Sequence, residues 1–213
     1  MSERDDIVFI VDDDERIREA LIELLASHGM HALAFKSAGD YFAADKPDRP
    51  ACLVLDVQLP DINGLDLQGR IAAGNHPPIV FITGYGDIPS SVRAIKHGAV
   101  DFLTKPVSDA DLMRAIQAAL ALSKAQRAER AELDILWQRY RALTPRERDV
   151  LPLVVSGLLN KQAAAELQIS EVTLQVHRRN VMQKMEAASL ADLVRIAERL
   201  GIEVTHSRRT GGN

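Results

Sequence analysis

Four apolar runs in this 213-residue chain end on residues that can do chemistry. IVFIV (7–11) releases Asp12, Asp13 and Asp14, and ACLVL (51–55) releases Asp56. IVFIT (79–83) ends on Thr83, and VDFLTKP (100–106) carries Lys105. Clustered carboxylates repel one another unless a cation sits between them. Carboxylate and carbonyl oxygens with water suit Mg²⁺, a hard ion that keeps several waters. A metal, an ammonium and a hydroxyl facing one carboxylate form a receptor for an incoming phosphoryl group. Asp56 is then a nucleophile able to form an acyl phosphate. Taken singly, an aspartate after a strand is most often a cap, and Asp14 is assigned that role for the helix that follows it.

These residues meet only if the runs lie side by side. Each run is short and largely apolar, and IVFIV is rich in β-branched residues, as expected of buried strands. HALAF (31–35) adds a weaker fifth strand. Between them RIREALIELLASHG, INGLDLQGRIAAG and IPSSVRAIKHG show helical spacing and stop at Gly29, Gly74 and Gly98. Strands alternating with helices predict an α/β fold, a five-stranded doubly wound parallel sheet covered on both faces. In such sheets ligands bind outside the carboxyl ends of the strands. Ser108, with Asp111 at the reciprocal position, caps a helix without Gly or Pro until Pro145. Its middle, SKAQRAERAE, lacks an apolar stripe. It reads either as a linker helix that pairs with its symmetry mate or as one that frays between two domains. Beyond it, Thr144-Pro145 with Glu147 opens the first of four short helices, a small all-α domain. The expected divisions are 1–122, a helical linker 123–143, 144–204, and a disordered tail 205–213.

Composition narrows the function. Residues 1–143 hold 16 Lys and Arg against 22 Asp and Glu, whereas residues 144–213 hold 10 against 8. An acidic front half suits a metal site, and a mildly basic back half is compatible with nucleic acid. The 4% aromatic content argues against a stacking platform. One cysteine, Cys52, implies a reducing compartment and no disulfide. No secretory signal and no membrane-spanning run is seen, so a cytoplasmic location without membrane partners is expected.

IVDDDE, LVLDVQLPDINGLDL, VFITGYGD and AVDFLTKP resemble the receiver domain of two-component response regulators. LTPRERDVL…GLLNKQAAAELQISEVTLQVHRRNVMQKM resembles the LuxR/FixJ-type helix-turn-helix output domain. The resemblance implies that Asp56 accepts phosphate from a sensor histidine kinase, with Asp12, Asp13, Asp56 and the Gln58 main-chain carbonyl holding Mg²⁺. It further implies that Thr83 and Lys105 contact the phosphoryl oxygens, that the Lys105–Pro106 bond is cis, and that Phe102 is a rotamer switch coupled to Thr83. The chain is then no enzyme beyond its own Mg²⁺-dependent phosphorylation and dephosphorylation. The side chains of Gln58 and Tyr85 either gate water attack on the phosphoryl group or are inert rim residues.

In a helix-turn-helix the second helix enters the major groove of double-stranded DNA. With Leu174, Val181 and Met185 facing the core, Gln175, Val176 and Arg179 share the opposite face and can reach base edges. Lys161, Thr173, Arg178 and Asn180 are placed as phosphate contacts. The family often has a basic residue where this chain has Gln175. A homodimer forming on phosphorylation is the expected state, with RNA polymerase a further candidate partner. Two other classes compete. In a phosphatase of the haloacid dehalogenase type, Asp12 of the Asp12–Asp14 pair would be the nucleophile, but the pair leaves little room for a substrate cap and the helical domain has no role. In a constitutive DNA-binding protein the acidic site would be vestigial, which its completeness argues against.

Overall fold

The computed structural model describes residues 6–71, 76–84 and 88–202. The expectations for Tyr85, for a stop at Gly74 and for the tail 205–213 fall outside them. The chain falls into two compact units, Met1–Arg127 and Ala128–Asn213.

In the first unit, β1 (Ile7–Val11), β2 (His31–Phe35), β3 (Ala51–Asp56), β4 (Ile79–Thr83) and β5 (Asp101–Thr104) form one sheet. All its pairings are parallel, in the order β2-β1-β3-β4-β5. The helices between them are α1 (Glu15–Ser27), α2 (Ala38–Ala43), α3 (Gly64–Ile71) and α4 (Ile88–Lys96). The two-residue alternation of strands divides the side chains between two cores. Phe9, Val11, Leu53, Leu55, Ile79 and Phe81 belong to one, with Tyr41 of α2 and Leu67 and Ile71 of α3. Val8, Ile10, Cys52, Val54, Val80 and Ile82 belong to the other. That second core also holds Leu25 of α1 and Leu112, Ile116, Ala119 and Leu120 from the start of α5 (Asp109–Arg141). Ile116 is fully buried, and its truncation to alanine should cost roughly 2–5 kcal/mol.

α2 has no counterpart in the sequence reading. Ser37 caps it by accepting from the Asp40 amide at 3.1 Å, and Asp61 accepts from the Gly39 amide at 3.0 Å. Tyr41 of α2 packs edge-on against Phe9 and Phe35, with the Lys46 ammonium 4.4 Å from its ring centre. Burial pushes its hydroxyl up to about 12, and that hydroxyl has no hydrogen-bond partner among the described residues. An unsatisfied buried donor costs free energy that an apolar isostere avoids. Tyr41→Phe is therefore expected to raise stability by about 1 kcal/mol in chemical denaturation. A loss of similar size would contradict the orphaned hydroxyl.

In the second unit, the end of α5 joins α6 (Pro145–Val155), α7 (Asn160–Leu167), α8 (Glu171–Lys184) and α9 (Leu190–Arg199). Its core contains Val150, Leu151, Leu174, Val181, Met185, Leu193 and Ala197, together with Leu136 of α5 and Leu143. The last turns of α5 thus add apolar surface to the four expected helices. Arg139 to Glu186 and Arg199 to Glu132 add ion pairs within this unit.

Candidate functional site

Register brings the acidic residues together. Val11 pairs with Leu55, so Asp12 and Asp56 stand side by side at the carboxyl ends of adjacent strands. Both continue the alternation of Ile10 and Val54, and both are buried. The chain order reverses between β1 and β3, where α/β sheets open a crevice. Asp14 stands apart as the α1 cap, accepting from the Arg16 amide at 2.9 Å. The loop after β3 folds back so that the Gly64 amide donates to the Val57 carbonyl at 2.8 Å. A β-carbon at Gly64 would lie 2.4 Å from the Asp56 carbonyl oxygen, so this approach requires glycine.

Lys105 closes the site from β5. Its backbone amide donates to the Thr83 carbonyl at 2.7 Å, and the Lys105–Pro106 bond is cis. Its Nζ donates to Asp12 Oδ2 and to Asp56 Oδ2, each at 2.7 Å. Asp12 Oδ1 accepts from the Asp14 amide at 2.9 Å, and Asp56 Oδ1 from the Gln58 amide at 3.1 Å. Burial opposes the charge of Lys105, but its bonds to the two carboxylates raise its pKa and keep the ammonium ionised. Burial pushes the Asp12 carboxyl up in spite of the bonds from Lys105 and the Asp14 amide, and the neighbouring Asp56 carboxylate adds to this only slightly. Carboxylate oxygens of Asp12, Asp13 and Asp56 lie within 4.8 Å of one another, with Asp13 exposed. Three hard oxygen donors beside an open cleft fit a small divalent cation. The cleft, of about 420 Å³, is lined by Asp13, Asp56, Gln58, Leu59, Gly84 and Lys105 among others.

Thr83 is fully buried at the end of β4. Phe102 is half-buried on β5, its ring centre 6.0 Å from that of Phe81, on the same side of the sheet. Sequence reasoning missed Arg18. Its Nη1 donates to the carbonyls of Asp12 at 2.8 Å and Asp13 at 2.9 Å, clamping the segment that presents both carboxylates. Backbone acceptors carry no residue-type signature, so nothing in the sequence marks this contact.

In the second unit α7 and α8 are joined by a tight turn in which Gln168 adopts a left-handed backbone, φ 55°. Ser170 caps α8, accepting from the Thr173 amide at 3.0 Å. Leu174, Val181 and Met185 are buried, while Gln175, Val176 and Arg179 are exposed. Lys161 and Thr173 are exposed as well, and Asn180 is half-buried. Arg178, expected among the phosphate contacts, is half-buried and donates to Asn160 Oδ1 at 2.8 Å.

Lys184 also points inward. Its Nζ meets Glu147 Oε2 at 2.7 Å, and the same oxygen accepts from the Thr144 amide at 2.8 Å. Burial opposes ionisation of Glu147, but the bonds from Lys184 and Thr144 outweigh it and bring its pKa to about 2, against an ordinary 4.5. A depressed folded value means that this stabilisation is complete above pH 4.5 and is lost as pH falls from 4.5 toward 2. The loss should be about 2 kcal/mol, allowing for solvent around the partly exposed Lys184. Trp137, the single tryptophan, lies in this unit and reports its melting. Glu147→Gln is expected to lower the melting temperature at neutral pH and to flatten its fall in acid. Parallel pH profiles for the two proteins would contradict this account.

A parallel sheet with an acidic crevice and a lysine, together with a helical unit presenting an exposed second helix, defines a receiver and a DNA-binding output in one chain. Residues 8–117 match the response regulator receiver domain, and residues 141–197 match the bacterial regulatory proteins of the luxR family. The chain belongs to the response regulators with a LuxR-type DNA-binding domain. It is 47% identical to nodulation protein W of Bradyrhizobium diazoefficiens, over 96% of this chain and 90% of that one. It is 46% identical to the response regulator protein TodT of Pseudomonas putida, over 94% and 88% respectively. Among solved structures, the response regulator StyR aligns with a TM-score of 0.78 at 45% identity, covering 92% of this chain and 99% of that one. Among the described residues no helix is long and apolar enough to cross a membrane.

Proposed function

We propose that this response regulator takes a phosphoryl group onto Asp56 from a sensor histidine kinase and thereby changes its affinity for DNA. The observation that carries this reading is the Lys105 ammonium bridging buried Asp12 and Asp56 at 2.7 Å each, beside the exposed carboxylate of Asp13. In the transfer a bond forms between an Asp56 carboxylate oxygen and phosphorus. The phosphorus–nitrogen bond of the kinase phosphohistidine breaks, and the imidazole leaves with the electron pair and takes up a proton. Asp12, Asp13, Asp56 and the Gln58 carbonyl would hold Mg²⁺, which supplies positive charge to the phosphoryl oxygens. Lys105 is positioned to turn from carboxylate to phosphoryl oxygen, and the Thr83 hydroxyl supplies a further donor. Gln58 at the cleft rim limits the approach of water to the phosphoryl group.

Movement of Thr83 toward the new group leaves room for Phe102 to turn inward. The surface so altered includes an apolar patch of Val92, Ile95 and Phe102 around a cleft of about 330 Å³. Two receivers pair across it and set two output units on adjacent half-sites about one DNA turn apart. There Gln175, Val176 and Arg179 read base edges while Lys161, Thr173 and Asn180 hold phosphates. RNA polymerase is a further partner in this reading, and the chain works in the cytoplasm. The domain limits in this reading are 1–122 for the receiver and 144–204 for the output. Acetyl phosphate and Mg²⁺ followed by peptide mass mapping tests the first step. The label belongs on the peptide containing Asp56, and label elsewhere refutes the assignment. Sedimentation with beryllofluoride and Mg²⁺ tests the second, and a protein that stays monomeric while gaining DNA affinity removes receiver-driven pairing.

A further inference from the structure

We propose that Arg178 is a positioning residue that sets the angle between the two helices of the helix-turn-helix, and is not a phosphate contact. The proposal rests on the reading above, in which α8 enters the major groove. At 3.6 residues per turn, Leu174, Arg178, Val181 and Met185 fall within about 60° of one another around the helix. The three apolar members of that row are fully buried. Arg178 therefore stands in the core-facing stripe, roughly opposite Val176. Its guanidinium leaves the stripe toward α7 and donates to the side-chain oxygen of Asn160, the first residue of that helix, at 2.8 Å. The bond joins the start of α7 to the middle of α8. Lys184, bonded to Glu147 of α6 at 2.7 Å, tethers the other end of α8. Of the three cations on α8, two are thus spent within the fold, and Arg179 is the exposed one. A phosphate contact releases counterions on binding and so steepens the salt dependence, whereas a guanidinium held toward α7 and away from the phosphates does not.

The test uses the full chain treated with acetyl phosphate and Mg²⁺, and a duplex selected by that protein from a random-sequence pool. Arg178→Met is expected to weaken binding roughly tenfold or more, as for one charge-assisted hydrogen bond, with an unchanged salt slope between about 50 and 200 mM. Asn160→Ala should do the same, and the double variant should bind within about twofold of either single one. Lys161→Ala serves as the phosphate-contact standard, with its slope reduced by about 0.9. A slope reduction of that size in Arg178→Met, multiplying losses in the double variant, or no loss in Arg178→Met overturns the proposal. Failure of the groove reading shows separately, as Arg179→Ala leaving both affinity and sequence preference unchanged.

Discussion

Asp56→Asn is expected to abolish phosphoryl uptake from acetyl phosphate, a loss on the order of 100-fold or more. The amide keeps the shape and can still accept from the Gln58 amide, but it removes the nucleophilic carboxylate. It also removes one of the two anions that hold Lys105. Extra Mg²⁺ should restore nothing. Asp12→Asn is expected to fail differently. Asp12 is fully buried, and its part is to supply charge toward the cation, so raised Mg²⁺ should recover part of the uptake. A nucleophilic Asp12, as in a phosphatase of the haloacid dehalogenase type, predicts the reverse pattern. The measurement is intact mass after incubation across a Mg²⁺ series. Wild-type yield in Asp56→Asn would remove that residue from the mechanism.

The second large effect lies on α8. Arg179→Ala should cost roughly 1–3 kcal/mol on the preferred site and relax preference at the base it reads. Its side chain is exposed on the same outward face as Gln175 and Val176, and nothing within its unit is seen to hold it by an ion pair among the described residues. Lys161→Ala should weaken binding on all sequences alike and flatten the salt dependence. Competition assays against specific and random duplexes separate the two. Equal losses on both duplexes for Arg179→Ala would place it among the phosphate contacts.

Much of this architecture is legible in the chain because buried parallel strands are written as unbroken apolar runs. IVFIV and IVFIT coincide with β1 and β4, and Asp56 proves to be the last residue of β3 itself. The Thr144–Glu147 box is equally plain, since both partners are side chains at a fixed spacing. Other features leave weaker traces. α2 is only six residues long, too short for a periodic pattern, and its cap is shared with Asp61, distant in sequence. Arg18 acts on carbonyls, which every residue has. On residue type alone Arg178 and Lys184 read as free cations of a DNA-binding helix. Their acceptors, Asn160 and Glu147, lie on other helices and are paired with them only by the fold. Charge counted along one helix therefore overstates what that helix offers to DNA.

The central claim is that the chemistry at Asp56 controls the output helix. It is tested most directly by DNA affinity of the full chain with and without acetyl phosphate and Mg²⁺, in wild type and in Asp56→Asn. A phosphoryl group shifts the equilibrium only by its differential stabilisation of the two states, and a few kcal/mol suffices to make a rare form dominant. The account predicts that phosphodonor tightens wild-type binding by roughly tenfold or more and leaves Asp56→Asn unchanged at its weak basal level. Equal affinity of wild type with and without phosphodonor at full Asp56 occupancy, or the same gain in Asp56→Asn, would contradict it.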